Sequence, residues 1–404
     1  MRAWPWARRG VSGPGAAGAM AEAMPYWRLS GFYFFYFASL GALVFYWSVY
    51  LESLGFSHEE IGELLAILSA TKLVAPLVWG WIADHTGHRM TIVRSGALAA
   101  AVTFAGVYGV SSYWGLAAVM AAFSFFWNAV LPQFEATTFS HLGEQVHRYS
   151  SIRLWGSIGF IVVVWAVGGG IDRWSIAILP GVVLALFVGI WLSSLLAPES
   201  AAAHLRLDHE PLARVLRRPR VAGLLAVCFL MQASHGPYYA FYVPYLQSYG
   251  YSAGLAGGLI ALGVVAEVGV FLVMHRWLAR FGMWRLLLAA LLLAVVRWLL
   301  TAWFAHSLAV TVAAQTLHAA TFGVYHAAAI QLIHTYFTGR HQGKGQALYS
   351  SLSFGAGGAV GALYAGHAWD LAGGPMMYFI AAALAGLGAL LAWRMARHDD
   401  TVAG

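Results

Sequence analysis

The chain has 404 residues, of which 60% are hydrophobic and only 10% are charged. Soluble domains carry about a quarter charged residues, so this composition excludes an ordinary soluble domain and indicates a chain embedded in lipid. The formal charge of +7 does not indicate a nucleic-acid partner, because the basic residues lie in short segments between apolar runs. The single cysteine, Cys228, excludes an intrachain disulfide bond and a cysteine metal cluster.

The N-terminal residues 1–25 are rich in arginine, alanine and glycine and contain no apolar core. They predict a disordered N-terminal extension and not a secretory signal. Met20 and Met24 are alternative translation starts to Met1.

Long apolar runs separated by polar segments recur along the rest of the chain, and its length fits about twelve spans of roughly 20 residues. The predicted helices, in chain order, are Trp27–Leu51, Glu60–Ala83, Met90–Val110, Tyr113–Phe139, Ser150–Gly170, Trp174–Leu196, Val221–Gln247, Gly254–Leu278, Trp284–Ala305, Leu308–Phe337, Gly345–Leu371 and Pro375–Met395. The predicted fold is therefore an all-α membrane protein. Its predicted parts are an N-terminal six-helix bundle, a cytoplasmic linker, a C-terminal six-helix bundle and a short tail, at residues 26–197, 198–220, 221–396 and 397–404.

The distribution of basic residues predicts the orientation of these helices. Of the 23 lysine and arginine residues, only Arg173 falls in an outer segment if both termini are inside. Lys72, Arg153 and Arg297 fall within predicted helices, and all the others fall in inner segments. Short cytoplasmic loops are enriched in Lys and Arg. We therefore predict a multi-pass protein of the bacterial inner membrane with both termini in the cytoplasm.

The two halves are related by an internal repeat. Residues 50–57 align with residues 245–252, a shift of 195 positions, and the same register places Lys72 opposite Glu267. Parallel repeats of this kind are typical of carriers whose binding site lies between two rocking halves. An opposite-charge pair at equivalent depths in the two halves predicts a site at their interface.

A compact motif stands between the second and third predicted helices, formed by Gly80, Asp84, Gly87 and Arg89. Gly80 permits close helix approach, Gly87 permits a tight turn, and Asp84 can cap a helix start or pair with a cation. We therefore predict a gating role for the motif. It resembles the loop signature of the major facilitator superfamily, which implies two six-helix bundles that alternate access to a central site.

Four further segments are similar to the phenylpropionate transporter group, which is related to lactose permease and to nucleoside symporters. They are residues 45–51, 152–160, 263–268 and 317–326. This resemblance implies proton-coupled transport of a small organic solute.

Glu135 and Arg153 are 18 positions apart across one predicted turn. In an antiparallel hairpin they lie at matching depths, and a charge at bilayer depth costs roughly 3 kcal/mol or more without a partner. An acid–arginine pair on the same two helices of lactose permease contacts sugar, so the resemblance implies a substrate-linked pair here. A structural ion pair is the alternative.

Glu267 is the acid predicted to bind the transported proton, because carboxyl groups in apolar cavities can retain a proton near neutral pH. The alternative is a permanently ionised partner of Lys72 or Arg297. Lactose permease has a further acid three residues after its tenth-helix histidine, whereas this chain has Thr321 after His318. The coupling arrangement of that relative is therefore not reproduced, and Glu267 or a histidine such as His318 would have to replace it.

Arg297 and Lys72 are predicted to hold a substrate carboxylate, arginine with a planar fork and lysine with a point charge; the alternative is that they neutralise Glu267. His235, His318 and His326 are predicted to form hydrogen bonds in the cavity, to join helices or to relay protons. Their spacing does not support a zinc site.

The first and seventh predicted helices are rich in aromatic residues, which include Tyr46 and Tyr239. They could stack a ring-bearing substrate or lie in the interfacial belt.

The sequence thus predicts a proton-coupled symporter of a small organic solute, most simply an imported aromatic carboxylate. The predicted partners are that substrate, protons and membrane lipid, bound by a monomer without a cofactor, a metal or nucleic acid. Sugar or nucleoside symport is the first alternative and drug efflux the second. A membrane enzyme or a sensor is a remote alternative, because no nucleophile motif, metal spacing or signalling domain is recognisable.

Overall fold

The computed structural model describes residues 24–143, 145, 148–199, 212–338 and 341–400. Most of the predicted N-terminal extension, the centre of the predicted linker and the end of the predicted tail lie outside the described residues. Within them the chain is helical without strands, and the twelve predicted spans are confirmed.

The first six spans begin and end close to their predicted positions. They are α1 (Tyr26–Ser53), α2 (His58–Thr86), α3 (Arg89–Phe104, continued by a 3₁₀ turn Ala105–Gly109), α4 (Tyr113–Leu142), α5 (Tyr149–Arg173) and α6 (Leu179–Leu196, preceded by a 3₁₀ turn Ile176–Ile178).

The last six spans include three interrupted helices that the sequence analysis treats as continuous. They are α7 (Pro219–Ser234 and Gly236–Ser248), α8 (Ala253–Phe281), α9 (Met283–Phe304), α10 (Leu308–Thr316, a π-helical turn Ala319–Val324 and Tyr325–Tyr336), α11 (His341–Ser350, a π-helical turn Ser351–Gly357 and Gly358–Ala372) and α12 (Gly374–Asp400). Nine of the twelve spans are, in the described part of the chain, long and apolar enough as single helices to cross a membrane. The other three are α7, α10 and α11, which are divided into shorter pieces. A short helix, Leu212–Leu216, precedes α7.

Two repeat-related serines cap the N-termini of α2 and α8. Ser57 accepts a hydrogen bond from the backbone N–H of Glu60 at 3.2 Å, and the Glu60 carboxylate accepts one in return from the N–H of Ser57 at 2.9 Å. Ser252, at the repeat-related position, accepts from the N–H of Leu255 at 3.2 Å. Each serine satisfies one of the unpaired N–H groups of a helix start, so the two helices begin at repeat-related positions.

The helices pack as two related groups. In the first half α1 packs against α5 and α6, α3 packs against α4 and α6, and α2 packs against α4; in the second half α9 and α7 pack against α12, and α8 packs against α10. Between the halves the main contacts are α2 with α11, α5 with α8 and α1 with α7. Exchanging the halves converts the first of these contacts into the second, so the assembly has a pseudo-two-fold axis.

The interface between the halves is closed at one end. We call the end at which α1 begins and α12 ends the N/C side, and the opposite end the far side. Gly62 of α2 and Gly257 of α8, which are repeat-related, lie toward the far side. A Cβ atom at Gly62 would lie 2.7 Å from the carbonyl oxygen of Ala362, and one at Gly257 would lie 2.5 Å from that of Val164. Only glycine permits these backbones to approach so closely, and they seal the far side.

Candidate functional site

A cavity of about 250 Å³ lies between the two halves, on the N/C side of this seal. Its walls are mostly apolar and aromatic, with a few charged groups. The lining residues are Phe37, Leu40, Val44, Phe45, Leu65, Leu68, Ser69, Lys72, Trp127, Arg153, Ser157 and Phe160 from the first half, and Gln232, Gly236, Tyr238, Tyr239, Ala240, Ile260, Val264, Glu267, His318, Phe322, Phe354, Gly358 and Ala362 from the second. We call it the central cavity. Its composition suits a small solute with an apolar body and one or two charged groups.

The first half contributes two cations to the central cavity. Among the described residues no carboxylate oxygen lies within 4 Å of the ammonium of Lys72 or of the guanidinium of Arg153. The guanidinium of Arg153 instead lies over the ring of Phe37, 3.5 Å from the ring centroid. This cation–π contact holds the side chain but does not neutralise its charge. Both cations are therefore available to an anion in the cavity.

The predicted Glu135–Arg153 ion pair is not formed in this structure. Glu135 accepts a hydrogen bond from the hydroxyl of Tyr149 at 3.0 Å, and it does not line the central cavity. The guanidinium of Arg153 lies 6.0 Å from the ring centroid of Tyr33, and that ring lies 6.3 Å from the ring of Tyr149. The acid and the arginine thus share tyrosine neighbours without a direct ion pair.

The second half contributes an acid and a histidine to the cavity wall. The carboxylate of Glu267 on α8 lies 3.6 Å from Nε2 of His318 on α10. Nδ1 of His318 lies 3.0 Å from Nη1 of Arg297 on α9. Arg297 also donates to the hydroxyl of Thr321 at 2.9 Å and to Oε1 of Gln315 at 3.3 Å.

Arg297 is wholly buried behind the cavity wall and does not line the cavity. Its guanidinium lies 4.4 Å from the ring centroid of Tyr238 and 4.5 Å from that of Trp298. Both of its terminal nitrogens contact protein groups, while its Nε has no hydrogen-bond partner among the described residues. These contacts give Arg297 a scaffolding position. Its predicted contact with substrate stays a prediction that this placement does not support.

The arrangement determines the tautomer of His318. A guanidinium has only N–H donors, so Nδ1 of His318 must accept the hydrogen bond from Arg297. In the neutral ring the proton is then on Nε2, where it faces the carboxylate of Glu267. A second proton on His318 would sit on Nδ1, where its N–H would point at the N–H donor of Arg297. Glu267 can therefore take up a proton without breaking this network, whereas His318 cannot.

The other two predicted histidines lie outside the cavity wall. His235 is fully buried at the interruption of α7; its Nδ1 lies 2.8 Å from the carbonyl oxygen of Met231, and its ring packs against Trp298. Nδ1 of His326 lies 2.9 Å from the hydroxyl of Tyr349. Both join helix segments in the second half, which was one of the predicted alternatives.

The two predicted tyrosines have different positions. Tyr239 lines the central cavity. Tyr46 lies in the far-side seal, where its hydroxyl donates to the carbonyl oxygen of Val164 at 2.6 Å and also lies 3.4 Å from that of Ala253. The structure thus brings five of the predicted site residues into the cavity wall and leaves five others elsewhere. Those in the wall are Lys72, Arg153, Glu267, His318 and Tyr239, and those elsewhere are Tyr46, Glu135, His235, Arg297 and His326.

The predicted gating motif lies on the N/C side, between α2 and α3. The guanidinium of Arg89 lies 3.7 Å from the carboxylate of Asp84, and Gly87 ends α2 with a φ of +71°. Gly80 lies one turn before Asp84 on α2. The ion pair connects two residues of the same half, so the gating role of the motif stays a prediction.

Several cavity residues were missed by the sequence analysis, although helical spacing could have identified some of them. Ser69 lies three positions before Lys72, and Ser157 lies four positions after Arg153, so each shares a helix face with a predicted cation. Phe322 has the same relation to His318. The rest of the aromatic wall carries no such signal, because the chain is rich in aromatic residues throughout.

A further group of possible metal ligands lies at the far side. Single ligand atoms of Glu59, Glu63 and His367 all lie within 4.8 Å of one another. Glu59 is 3.2 Å from Nε2 of His367, and Glu63 accepts from the hydroxyl of Tyr113 at 2.7 Å. These side chains thus have protein partners, and they lie apart from the central cavity.

Twelve helices in two repeats, closed on one side around a cavity with charged walls, define a membrane transporter of small solutes. The chain belongs to the MFS_1 like family, whose model matches residues 26–381. This confirms the resemblance to major facilitator transporters, and the chain is a multi-pass membrane transporter and not an enzyme.

Comparisons with individual proteins agree with this class. The chain is 28% identical over 358 residues to a probable 3-phenylpropionic acid transporter of Escherichia coli K12, covering 86% of this chain and 92% of that protein. It is 29% identical over 385 residues to the maltose permease of Geobacillus stearothermophilus, covering 89% and 92% of the two chains.

Among solved structures the fold is similar to that of the nucleoside transporter NupG, with a TM-score of 0.79 at 17% identity over 92% of this chain and 98% of that one. A bacterial homolog of the human lysosomal transporter Spinster, in an inward-facing conformation, has a TM-score of 0.69 at 13% identity over 94% and 98% of the two chains.

Proposed function

We propose that this transporter is a proton-coupled importer of small organic carboxylates with an aromatic ring. One observation carries the proposal. Lys72 and Arg153, which have no carboxylate partner among the described residues, line the same largely apolar cavity as the Glu267–His318 contact of the opposite half. The similarity to a probable 3-phenylpropionic acid transporter supports the choice of an aromatic acid.

In the proposed mechanism the substrate carboxylate binds Lys72 and Arg153. Arginine can hold both carboxylate oxygens in its fork, while lysine contributes a point charge. The ring of the substrate packs among the aromatic side chains of the wall, where offset or edge-on contacts are favourable. The apolar body and the anion of the substrate are thereby bound by different parts of the cavity.

Coupling to protons follows from the charge of Glu267. An ionised Glu267 repels a substrate carboxylate in the same low-dielectric cavity, and a neutral one does not. Protonation and carboxylate binding therefore favour each other, and by linkage the coupling acts equally in both directions. In the carrier that holds both ligands, the substrate carboxylate is paired with the two cations and Glu267 is neutral. No anion in the cavity is then left without a cation beside it, which favours the conformational change.

The proposed orientation places both termini in the cytoplasm of a bacterial cell and the far side in the periplasm. The support is the basic N/C side, since Lys and Arg accumulate in cytoplasmic loops. The described conformation is then closed to the periplasm. We further propose that the transporter acts as a monomer, because each chain has a complete central cavity.

The test is uptake of radiolabelled 3-phenylpropionate into proteoliposomes with an acidic outside. We expect accumulation above equilibrium that a protonophore abolishes. The Glu267→Gln variant keeps the size of the side chain but cannot lose a proton, so it should still exchange substrate across the membrane without concentrating it. Uphill uptake by this variant with an unchanged pH dependence would contradict the assignment of Glu267.

Sugar or nucleoside symport is the second candidate, supported by the similarity to a maltose permease. The mostly apolar cavity wall favours an aromatic acid over a polyhydroxylated solute, which needs many hydrogen-bonding partners. Thermal stabilisation of the purified protein by 3-phenylpropionate, maltose, lactose or uridine would separate the two candidates. Stabilisation by a sugar or by uridine alone would favour the second.

A further inference from the structure

The far side of the interface contains two aspartates that each bind the first turn of a helix in the opposite half. Asp370, near the end of α11, accepts a hydrogen bond from the backbone N–H of Glu59 at 2.8 Å. Asp172, near the end of α5, accepts from the N–H groups of Ala253 and Gly254 at 2.9 and 2.8 Å.

The two contacts are related by the repeat. Glu59 and Gly254 are 195 positions apart, which is the shift that aligns the two halves, and each is the second residue of its helix. The aspartates are 198 positions apart, near the ends of the repeat-related helices α5 and α11. The same aspartate-to-helix contact therefore occurs twice, once at each edge of the interface. One edge is formed by α2 and α11, and the other by α5 and α8.

Each aspartate binds N–H groups that the helix cannot satisfy itself. The serine caps already described bind the N–H of the third helical residue, and the aspartates bind those of the first or second. A carboxylate at a helix start also interacts favourably with the helix dipole, and hydrogen bonds to a charged acceptor are stronger than neutral ones. Both contacts cross between the halves, so both break if the far side opens.

The copies differ in one partner. At α8 the second carboxylate oxygen binds the backbone N–H of Ala253, whereas at α2 it lies 2.7 Å from Nδ1 of His58. The ring of His58 stacks on Trp369, with centroids 4.3 Å apart and planes 9° apart. The α2–α11 edge thus has an additional side-chain contact that the α5–α8 edge lacks.

We propose that Asp172 and Asp370 are a pair of latches that hold the far side closed and set the balance between the two conformations of the carrier. This inference rests on the transporter class alone and not on the substrate or the coupled ion. Removing one latch shifts the balance toward the state that is open at the far side, and removing both shifts it further.

The experiment uses the full-length protein without substrate, in a background in which Cys228 is replaced by alanine. A single cysteine is introduced at Ala365 of α11 or at Ala256 of α8, both fully buried in the helices of the closed edges. The rate at which a maleimide reagent alkylates this cysteine reports the open fraction even when that fraction is small.

We expect Asp172→Ala and Asp370→Ala each to raise the alkylation rate about tenfold, as for the loss of a hydrogen bond to a charged group. The two latches lie at different edges, so their effects should multiply, to about a hundredfold in the double variant. If an alanine variant folds poorly, it is replaced by Asp172→Asn or Asp370→Asn, which keep the size of the side chain and remove its charge.

Glu60→Gln is the matched control, because the Glu60 carboxylate also binds a backbone N–H at the start of α2, that of Ser57, but within the same half. It should leave the alkylation rate unchanged. Unchanged rates in the double aspartate variant, or an equal rise in the control, would overturn the proposal. Failure of 3-phenylpropionate uptake in the parent protein would refute the proposed substrate and leave this result intact.

Discussion

At the scale of single residues, Lys72 is the cation whose surroundings say most about the ligand. It lines a mostly apolar cavity, and no carboxylate lies within 4 Å of its ammonium in the described part of the chain. Removing a charge from water is costly unless an opposite charge compensates for it. The terminal nitrogens of Arg297, in contrast, contact Gln315, His318 and Thr321. An anionic group of the substrate would supply the compensation that Lys72 lacks.

We therefore expect Lys72→Met to weaken binding of 3-phenylpropionate by about tenfold or more, since a hydrogen bond to a charged group contributes roughly 1.5–3 kcal/mol. Methionine keeps much of the length of the stem. Isothermal titration of the purified protein measures the change.

The uncharged analogue 3-phenylpropanol provides a second measure of the same contact. The parent protein should prefer the acid to the alcohol, and Lys72→Met should lose most of that preference. Lys344→Met is the control, because Lys344 is the only other lysine of the chain and is exposed. An unchanged preference in Lys72→Met would show that the carboxylate binds elsewhere.

At the scale of helices, the sequence predicted where the spans lie but not how they are rotated or interrupted. Apolar length and loop charge determine the spans, and both are visible in the sequence. Glu135 and Arg153 were expected to pair because α4 and α5 are consecutive. In the fold α5 packs mainly on α1 and α8, while α4 packs on α2 and α3, so α4 and α5 make few contacts although they are consecutive. Which helices are neighbours is a property of tertiary packing, and spacing along the chain does not contain it.

The interruption of α7 at His235 is a feature of this scale that makes a testable prediction. Gly236 begins the second segment, and a Cβ atom there would overlap the backbone of Gly361 on α11. Overpacking of this kind costs about 1–3 kcal/mol. We expect Gly236→Ala to lower the thermal unfolding midpoint of the purified protein by several degrees.

The comparison variant is Gly269→Ala, on α8, where an added Cβ meets no atom within 4 Å. In that variant alanine should be neutral or slightly stabilising, because it is the better helix former. Equal midpoints for Gly236→Ala and the parent protein would mean that α7 and α11 can separate at no cost.

At the scale of the whole molecule, the even number of spans places both ends of the helical region on one side. The repeat in the sequence predicted this architecture and also that Lys72 and Glu267 lie at the interface of the two halves, where both line the central cavity. The closure of one side could not be predicted, because both conformations of a carrier share one sequence. It depends on backbone contacts such as that of Gly62 with Ala362.

The proposed topology predicts which positions are reachable from outside an intact bacterial cell. Cysteines introduced at Trp174 and Leu371, two strongly exposed far-side positions, should react with a membrane-impermeant maleimide added to whole cells. A cysteine at Thr86, at the N/C end of α2, should react only after the cells are permeabilised. The reverse pattern would contradict the proposed orientation and place the closed far side in the cytoplasm.

All three interrupted helices, α7, α10 and α11, belong to the second half, and two of them carry π-helical turns beside the cavity. The helices of the first half that line the cavity run unbroken. Local changes of helix geometry concentrate at such interruptions. The two repeats therefore share an architecture but differ in the continuity of the helices that line the cavity. We expect that adjustments of backbone geometry to a bound solute occur mainly in the second half, while the first half presents its cations from continuous helices.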